Sequence, residues 1–252
     1  MITRTELLAY LDELLEPSRF QDYCPNGLQV EGKQQINILV TGVTASQALL
    51  DAAVANNADA ILVHHGYFWR GEAPAVSGLK YQRLKTLLTR DINLFAYHLP
   101  LDAHAELGNN AQLAKILDLE VDGRISGTGE PAIGLCGCLK VAQSLSEFSS
   151  FIANRLGREP TTIAGHNRDI NTLGWCTGAA QGYIQQAAEL GLDAFISGEA
   201  SEQTTHLARE LGIHYIAAGH HATERYGAKA LGEHLAEHFD LQHHFIDIDN
   251  PV

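Results

Sequence analysis

The sequence predicts an α/β protein of two similar lobes related by internal duplication, each with a mostly parallel sheet and helices. Three observations carry this. Short apolar runs alternate with segments of helical spacing, the signature of βαβ units and parallel sheets. The strand–helix–strand order then recurs in the second half of the chain. Finally, 252 residues make one large domain or two small ones, long enough to bury a core without disulfides.

The first element is a charged helix, with Thr3 and Glu6 spaced as a capping box ahead of Leu7, Leu8 and Leu11. Asp22-Tyr-Cys-Pro-Asn-Gly27 is a turn-rich loop. A strand over 36–43 follows, then a helix over 45–57 with Ala48, Leu49, Ala52 and Ala53 at helical spacing, then a strand over 58–65. Residues 80–90 predict a helix, 91–98 a strand and 109–117 a helix, for which Asn109-Asn110 after Gly108 reads as an N-cap with no functional role. In the second half, Ile170-Asn171 leads a strand into Thr177-Gly178, as Ile36-Asn37 leads one into Thr41-Gly42. Residues 192–197 match 58–63, and third strands follow at 92–98 and 213–219. Residues 131–168 between the halves predict a strand, a helix capped by Ser144 with Glu147, and another strand. The Gly-rich stretch 123–131 is the expected boundary, dividing the chain into lobes 1–122 and 123–252.

Charge excludes some functions. Lys and Arg number 17 against 30 Asp and Glu, a formal net charge of −13, which argues against a broad grip on nucleic acid or an anionic membrane. A small anionic substrate stays compatible, because a bound cation reverses the field locally. No apolar run suits a membrane helix or signal peptide, so a cytoplasmic protein is expected. Cys24, Cys136, Cys138 and Cys176 are too scattered for a disulfide scaffold. Cys136 and Cys138 would share a strand face, as a soft-metal pair could, but buried free thiols are the favoured reading.

Histidine is the unusual residue: 13 copies, none before His64. Val63-His-His-Gly66 closes an apolar strand, where α/β sheets place their ligand sites. Neighbouring strand residues point to opposite faces, so His64 and His65 reach one site only if the chain bends at Gly66, or else serve different metals. Hydrogen-bonded strand-end histidines are the alternative. The third strand of each half ends in His-x-x-x-carboxylate: His98-Leu-Pro-Leu-Asp102 in the first, His220-His-Ala-Thr-Glu224 in the second. A metal site between the lobes follows as an expectation, and imidazole with carboxylate suits Zn, Mn, Fe or Co. Glu224 shares a helical stripe with Ala228, Leu231, Leu235 and Phe239, a buried position that a cation would stabilise. A first-turn carboxylate at a helix N-terminus would also explain it.

Other patterns carry less. His234-Leu-Ala-Glu-His238 spells an inverted zinc-protease motif but reads better as a solvated flank, and His243-His244 as tail residues. Tyr67-Phe-Trp-Arg70 could stack on a base or meet a phosphate, or simply pack. Phosphate-binding glycine loops and a G-x-S-x-G elbow are absent from the sequence.

The chain resembles the bacterial GTP cyclohydrolase 1 type 2 homologues, the NIF-three-like family. The resemblance runs along nearly the whole chain, through Pro25-Asn-Gly-Leu-Gln-Val30, Val40-Thr-Gly-Val-Thr-Ala45, Val63-His-His-Gly66, His98-Leu-Pro-Leu-Asp102, Ser197-Gly-Glu199 with His206, and Gly219-His-His-Ala-Thr-Glu224. It implies a two-lobed fold, a toroidal homohexamer and two divalent metal ions per chain. By motif position the ligands would be His64, His65, Asp102, His220 and Glu224, with Glu224 bridging the ions and one of His64 and His65 serving each. His98 and Glu199 would stand behind the ligands or transfer protons. The expected function is metal-dependent hydrolysis of a nucleotide-like substrate by a metal-bridging hydroxide, with His98 as proton shuttle. A non-catalytic metal-dependent scaffold or regulator and a nucleotide phosphoesterase are the rivals.

Overall fold

A computed structural model describes residues 1–126 and 131–252. The chain begins with β1 (Ile2–Thr3) and α1 (Arg4–Leu15), where the capping box forms: Thr3 Oγ1 accepts from the Glu6 N–H and the Glu6 carboxylate from the Thr3 N–H. Next come β2 (Gly27–Val30), β3 (Gln35–Ile36), β4 (Ile38–Thr44), α2 (Gln47–Ala55) and β5 (Ala60–His65). After them run α3 (Gly78–Arg90), β6 (Asn93–Ala96), the single turn α4 (Leu99–Ala103) and α5 (Asn109–Ile116). The middle is β7 (Leu119–Ile125), β8 (Gly134–Gln143), α6 (Leu145–Leu156) with the expected Ser144–Glu147 box, and β9 (Thr161–Ile163). The chain ends through β10 (Ile170–Cys176), α7 (Ile184–Glu189), β11 (Ala194–Ser197), α8 (Glu202–Leu211), β12 (His214–Ala217), α9 (His220–Phe239) and β13 (Gln242–Phe245).

Two compact units result. The first holds Met1–Leu101 with Gly227–Asp249, and the second Asp102–Tyr226 with Asn250–Val252. The first sheet has the order β13-β4-β5-β6-β2, parallel except for β2. The second has the order β7-β8-β10-β11-β12-β9, with β10, β11 and β12 parallel and antiparallel neighbours outside them.

The division therefore falls at 101/102 and not at 122/123. Leu119 to Ile125 pair with β8, which ties 102–126 to the second sheet, and Gln242 to Phe245 pair with β4, which returns the chain's last strand to the first. The expected linker 123–131 is partly strand, since Gly123 to Ile125 lie in β7, and its residues 127–130 lie outside the described residues. His243 and His244 are strand residues and not a tail. His243 Nε2 meets Thr41 Oγ1 at 2.8 Å, and burial, helped by the charges of His244 and Lys229, pushes its imidazole down to about 4.

The duplication recurs in the hydrogen bonds. Asp59, just before β5, accepts the Asn37 and Ile38 N–H groups, and Asp193, just before β11, accepts those of Asn171 and Thr172. Each aspartate thus fixes the register of the parallel pair it enters. In each case its own carbonyl accepts the N–H that opens the third strand, from Asn93 and from His214.

Each unit buries an apolar core: Leu49, Ile61, Val63 and Leu94 in the first, Phe148, Leu173, Trp175 and Ile196 in the second. Burying side chains of this size stabilises a fold by roughly 1.5–3 kcal/mol each. No helix among the described residues is long and apolar enough to cross a membrane.

Candidate metal centre

In the first unit, β5 and β6 lie side by side and deliver His64, His65 and His98 to the same sheet end. The three rings are 4.5 Å (64–65), 5.0 Å (64–98) and 5.7 Å (65–98) apart, and one nitrogen from each lies within 4.8 Å of the others. Gly66 is packed too closely for any side chain: a Cβ there would lie 2.2 Å from Gln29 Oε1 and 2.6 Å from the Ala96 Cβ. Gln29 grips the same turn, accepting the Tyr67 N–H at 2.7 Å and donating to the Tyr67 carbonyl at 3.1 Å.

Each ring is anchored through Nδ1. His64, fully buried, has Nδ1 at 3.1 Å from the Tyr97 carbonyl. A carbonyl only accepts, so Nδ1 carries the proton and Nε2 is the nitrogen that could ligate. His65 Nδ1 meets Thr44 Oγ1 at 3.1 Å. His98 Nδ1 lies 2.7 Å from Asp22 Oδ1. Burial alone would raise the Asp22 pKa, but the His98 bond and charge, with the Asn26 and Leu99 donors, outweigh it and hold the carboxyl at about 2. An ionised Asp22 only accepts, so His98 donates from Nδ1 and its Nε2 is left without that proton.

Asp22 escaped the sequence reading, where it counted as a turn residue. Replacing it with asparagine should cost about 2 kcal/mol at pH 7. Because its folded pKa is depressed, that stability is present above its ordinary value near 3.8 and is lost as the pH falls towards 2. Urea unfolding of parent and Asp22→Asn protein across this window checks it, and the gap should close with acid.

In the second unit the parallel strands β10, β11 and β12 end near Asp102, His220 and Glu224. His220 Nδ1 lies 2.6 Å from Glu199 Oε1, and Nε2 lies 3.1 Å from Glu224 Oε2. Burial opposes charge on His220, yet the Glu224 bond and charge, then those of Glu199, lift it to about 9. Glu224 is 3% exposed, and Ala228, Leu231 and Leu235 of its stripe are buried as the periodicity predicts. Asp102 accepts from Asn109 Nδ2 at 2.9 Å and from Thr177 Oγ1 at 3.2 Å. Burial, then the negative charges of Asp102 and Glu224, push the Cys176 thiol well above its usual range.

Asn109 is thus no N-cap. Gly108 takes that position, and Asn109 and Asn110 are buried around Asp102, with Asn110 Oδ1 also accepting the Thr177 N–H. Sequence reasoning missed both, and the doubled Asn beside a candidate ligand was the available signal.

The remaining candidates resolve simply. His234 and His238 lie on a largely solvated flank, with Glu237 and His238 exposed, although Tyr10 bonds His234 Nε2 at 2.6 Å and stacks on His238 at 4.6 Å. All four cysteines are free. Cys24 and Cys176 are buried, while Cys136 and Cys138 are half-buried, contrary to expectation, because β8 carries them beside the exposed strand β7. Tyr67 packs, donating its hydroxyl to the Ala45 carbonyl, and Trp69 stands edge-on to His98 at 5.0 Å.

Imidazoles fixed through Nδ1 to carbonyls or carboxylates are how proteins prepare histidine to bind a divalent metal. The donor chemistry therefore fits a metal: the His, Asp and Glu clusters at the strand ends of this α/β fold are of the kind that could hold a divalent ion. The chain belongs to the Duf34/NIF3 (NGG1p interacting factor 3) family, whose model matches residues 2–251. It is 57% identical over 250 residues to the GTP cyclohydrolase 1 type 2 homolog of Yersinia pestis, covering 98% of each chain. With that of Pseudomonas aeruginosa it shares 54% identity over 251 residues, 100% of this chain and 99% of the relative. The solved structure of protein ybgI superposes with a TM-score of 0.96 at 53% identity, over 100% of both chains.

Proposed function

We propose that this protein is a metal-dependent hydrolase acting on a nucleotide-like substrate, with His64, His65, Asp102, His220 and Glu224 as ligands of two divalent ions. The observation that carries the reading is the anchoring of His64, His65, His98 and His220 through Nδ1. Bound divalent metals supply an acidified water and a clamp for a developing oxyanion.

The chain's own residues do the rest. Asp22 holds the His98 ring so that Nε2 can take or give a proton. Asn109 and Thr177 orient the Asp102 carboxylate. Glu199 orients His220. The names of the relatives support a nucleotide-like substrate, and the family resemblance supports a toroidal homohexamer, which light scattering measures.

The test is metal analysis of the purified protein, followed by a nucleotide hydrolysis panel with Zn, Mn, Fe or Co added. Two ions per chain and turnover on a nucleotide are expected. His98→Gln should keep the metal and lose roughly 10²–10⁴-fold in rate. Full metal with no turnover on any nucleotide would replace this reading with a metal-dependent scaffold.

A further inference from the structure

Beside the His98–Asp22 pair the first unit opens a cleft of about 620 Å³, lined among others by Pro17, Phe20, Asp22, Cys24, Asn26 and Arg70. Small-molecule sites commonly span ~300–1,000 Å³. Its lining mixes apolar and polar groups. Pro17 and Phe20 are half-buried and give an apolar side. Burial, with the charge of Asp22, pushes the Cys24 thiol up to about 12, so it contributes no charge. Asp22 is ionised, yet its two oxygens already accept from Tyr23, His98, Asn26 and Leu99.

Arg70 is the group left for a ligand. Its backbone N–H bonds the Tyr23 carbonyl at 2.7 Å, which fixes the loop, and its side chain is exposed. Among the described residues the guanidinium meets the Asp22 carbonyl at 3.1 Å and the Tyr23 ring at 5.8 Å, neither of them a carboxylate. An exposed guanidinium fork lining a partly apolar cleft suits a phosphate joined to a planar ring. Phe68, at a φ of +64°, holds this loop in a backbone conformation that costs an ordinary residue energy, as binding loops often do.

We infer that the cleft binds a phosphorylated aromatic ligand of mononucleotide size, with its phosphate on Arg70 and its ring against Phe20 and Pro17. This rests on the hydrolase reading only in placing the ligand beside His98. Binding is measured as heat on the protein as purified, so a failure to bind and a failure to turn over are separate results. The probes are guanosine monophosphate, guanosine and inorganic phosphate.

Guanosine monophosphate should bind more tightly than either fragment. Arg70→Ala should weaken it about tenfold or more and leave guanosine unchanged, with Arg70→Lys in between. Phe20→Ala should weaken guanosine and leave phosphate unchanged. Thermal unfolding controls for Phe20→Ala, and the exposed Arg70 carries the test if that variant is unstable. No heat at millimolar guanosine monophosphate, or an Arg70→Ala variant that binds it like the parent, would overturn the inference.

Discussion

Glu224→Gln is expected to lower the metal carried by the purified protein by half or more, as read by plasma mass spectrometry. The substitution keeps the side-chain volume, so no cavity forms at a position only 3% exposed. What it removes is the charge that lies 3.1 Å from His220 and, with Asp102, bears on the Cys176 thiol. A neutral amide is a poorer ligand for a divalent cation than a carboxylate. Stability should respond with opposite signs. A ligand at a thousand times its dissociation constant stabilises a fold by about 4 kcal/mol, so the metal-loaded parent should melt roughly 10 °C above the metal-loaded variant. After chelation the order should level or reverse, because glutamine removes a buried negative charge. Full metal content in Glu224→Gln would exclude Glu224 as a ligand.

Gly178→Ala should have a comparable effect through geometry. Gly178 has a φ of +67°, and a Cβ there would lie 2.0 Å from Glu224 Oε1 and 3.3 Å from His220 Nε2. The left-handed backbone alone would cost roughly 1–3 kcal/mol with a side chain present. The Glu224 carboxylate would also have to leave its position. Metal content should therefore fall although no ligand has been altered. Gly182→Ala is the control, since nothing lies within 4 Å of a Cβ at that position. An alanine at 178 that retains full metal would show that the carboxylate position is not critical.

The legible part of this protein is local. Capping boxes at Thr3 and Ser144 are written in four residues, and β4-α2-β5 is written in its periodicity. His64, His65 and Glu224 declared themselves by sitting where an apolar strand ends or on an apolar helix stripe. The illegible part depends on distant pairing. β13 is four residues, two of them histidine, and becomes a strand only because β4 offers an edge some two hundred positions earlier. Asp22 looked like a turn former because aspartate usually is one, and its bond to His98 spans 76 positions. Asn109 sat where a cap was expected, and only the fold turns its amide to Asp102.

That late strand also sets a timetable. The second unit's sheet comes from one continuous stretch, so it can form while the chain is still being made. β4 gains its β13 neighbour only after about two hundred further residues, roughly 10–40 s of synthesis at common rates. During that interval the nascent first sheet carries an open edge, the kind of surface that invites wrong partners and that chaperones shield.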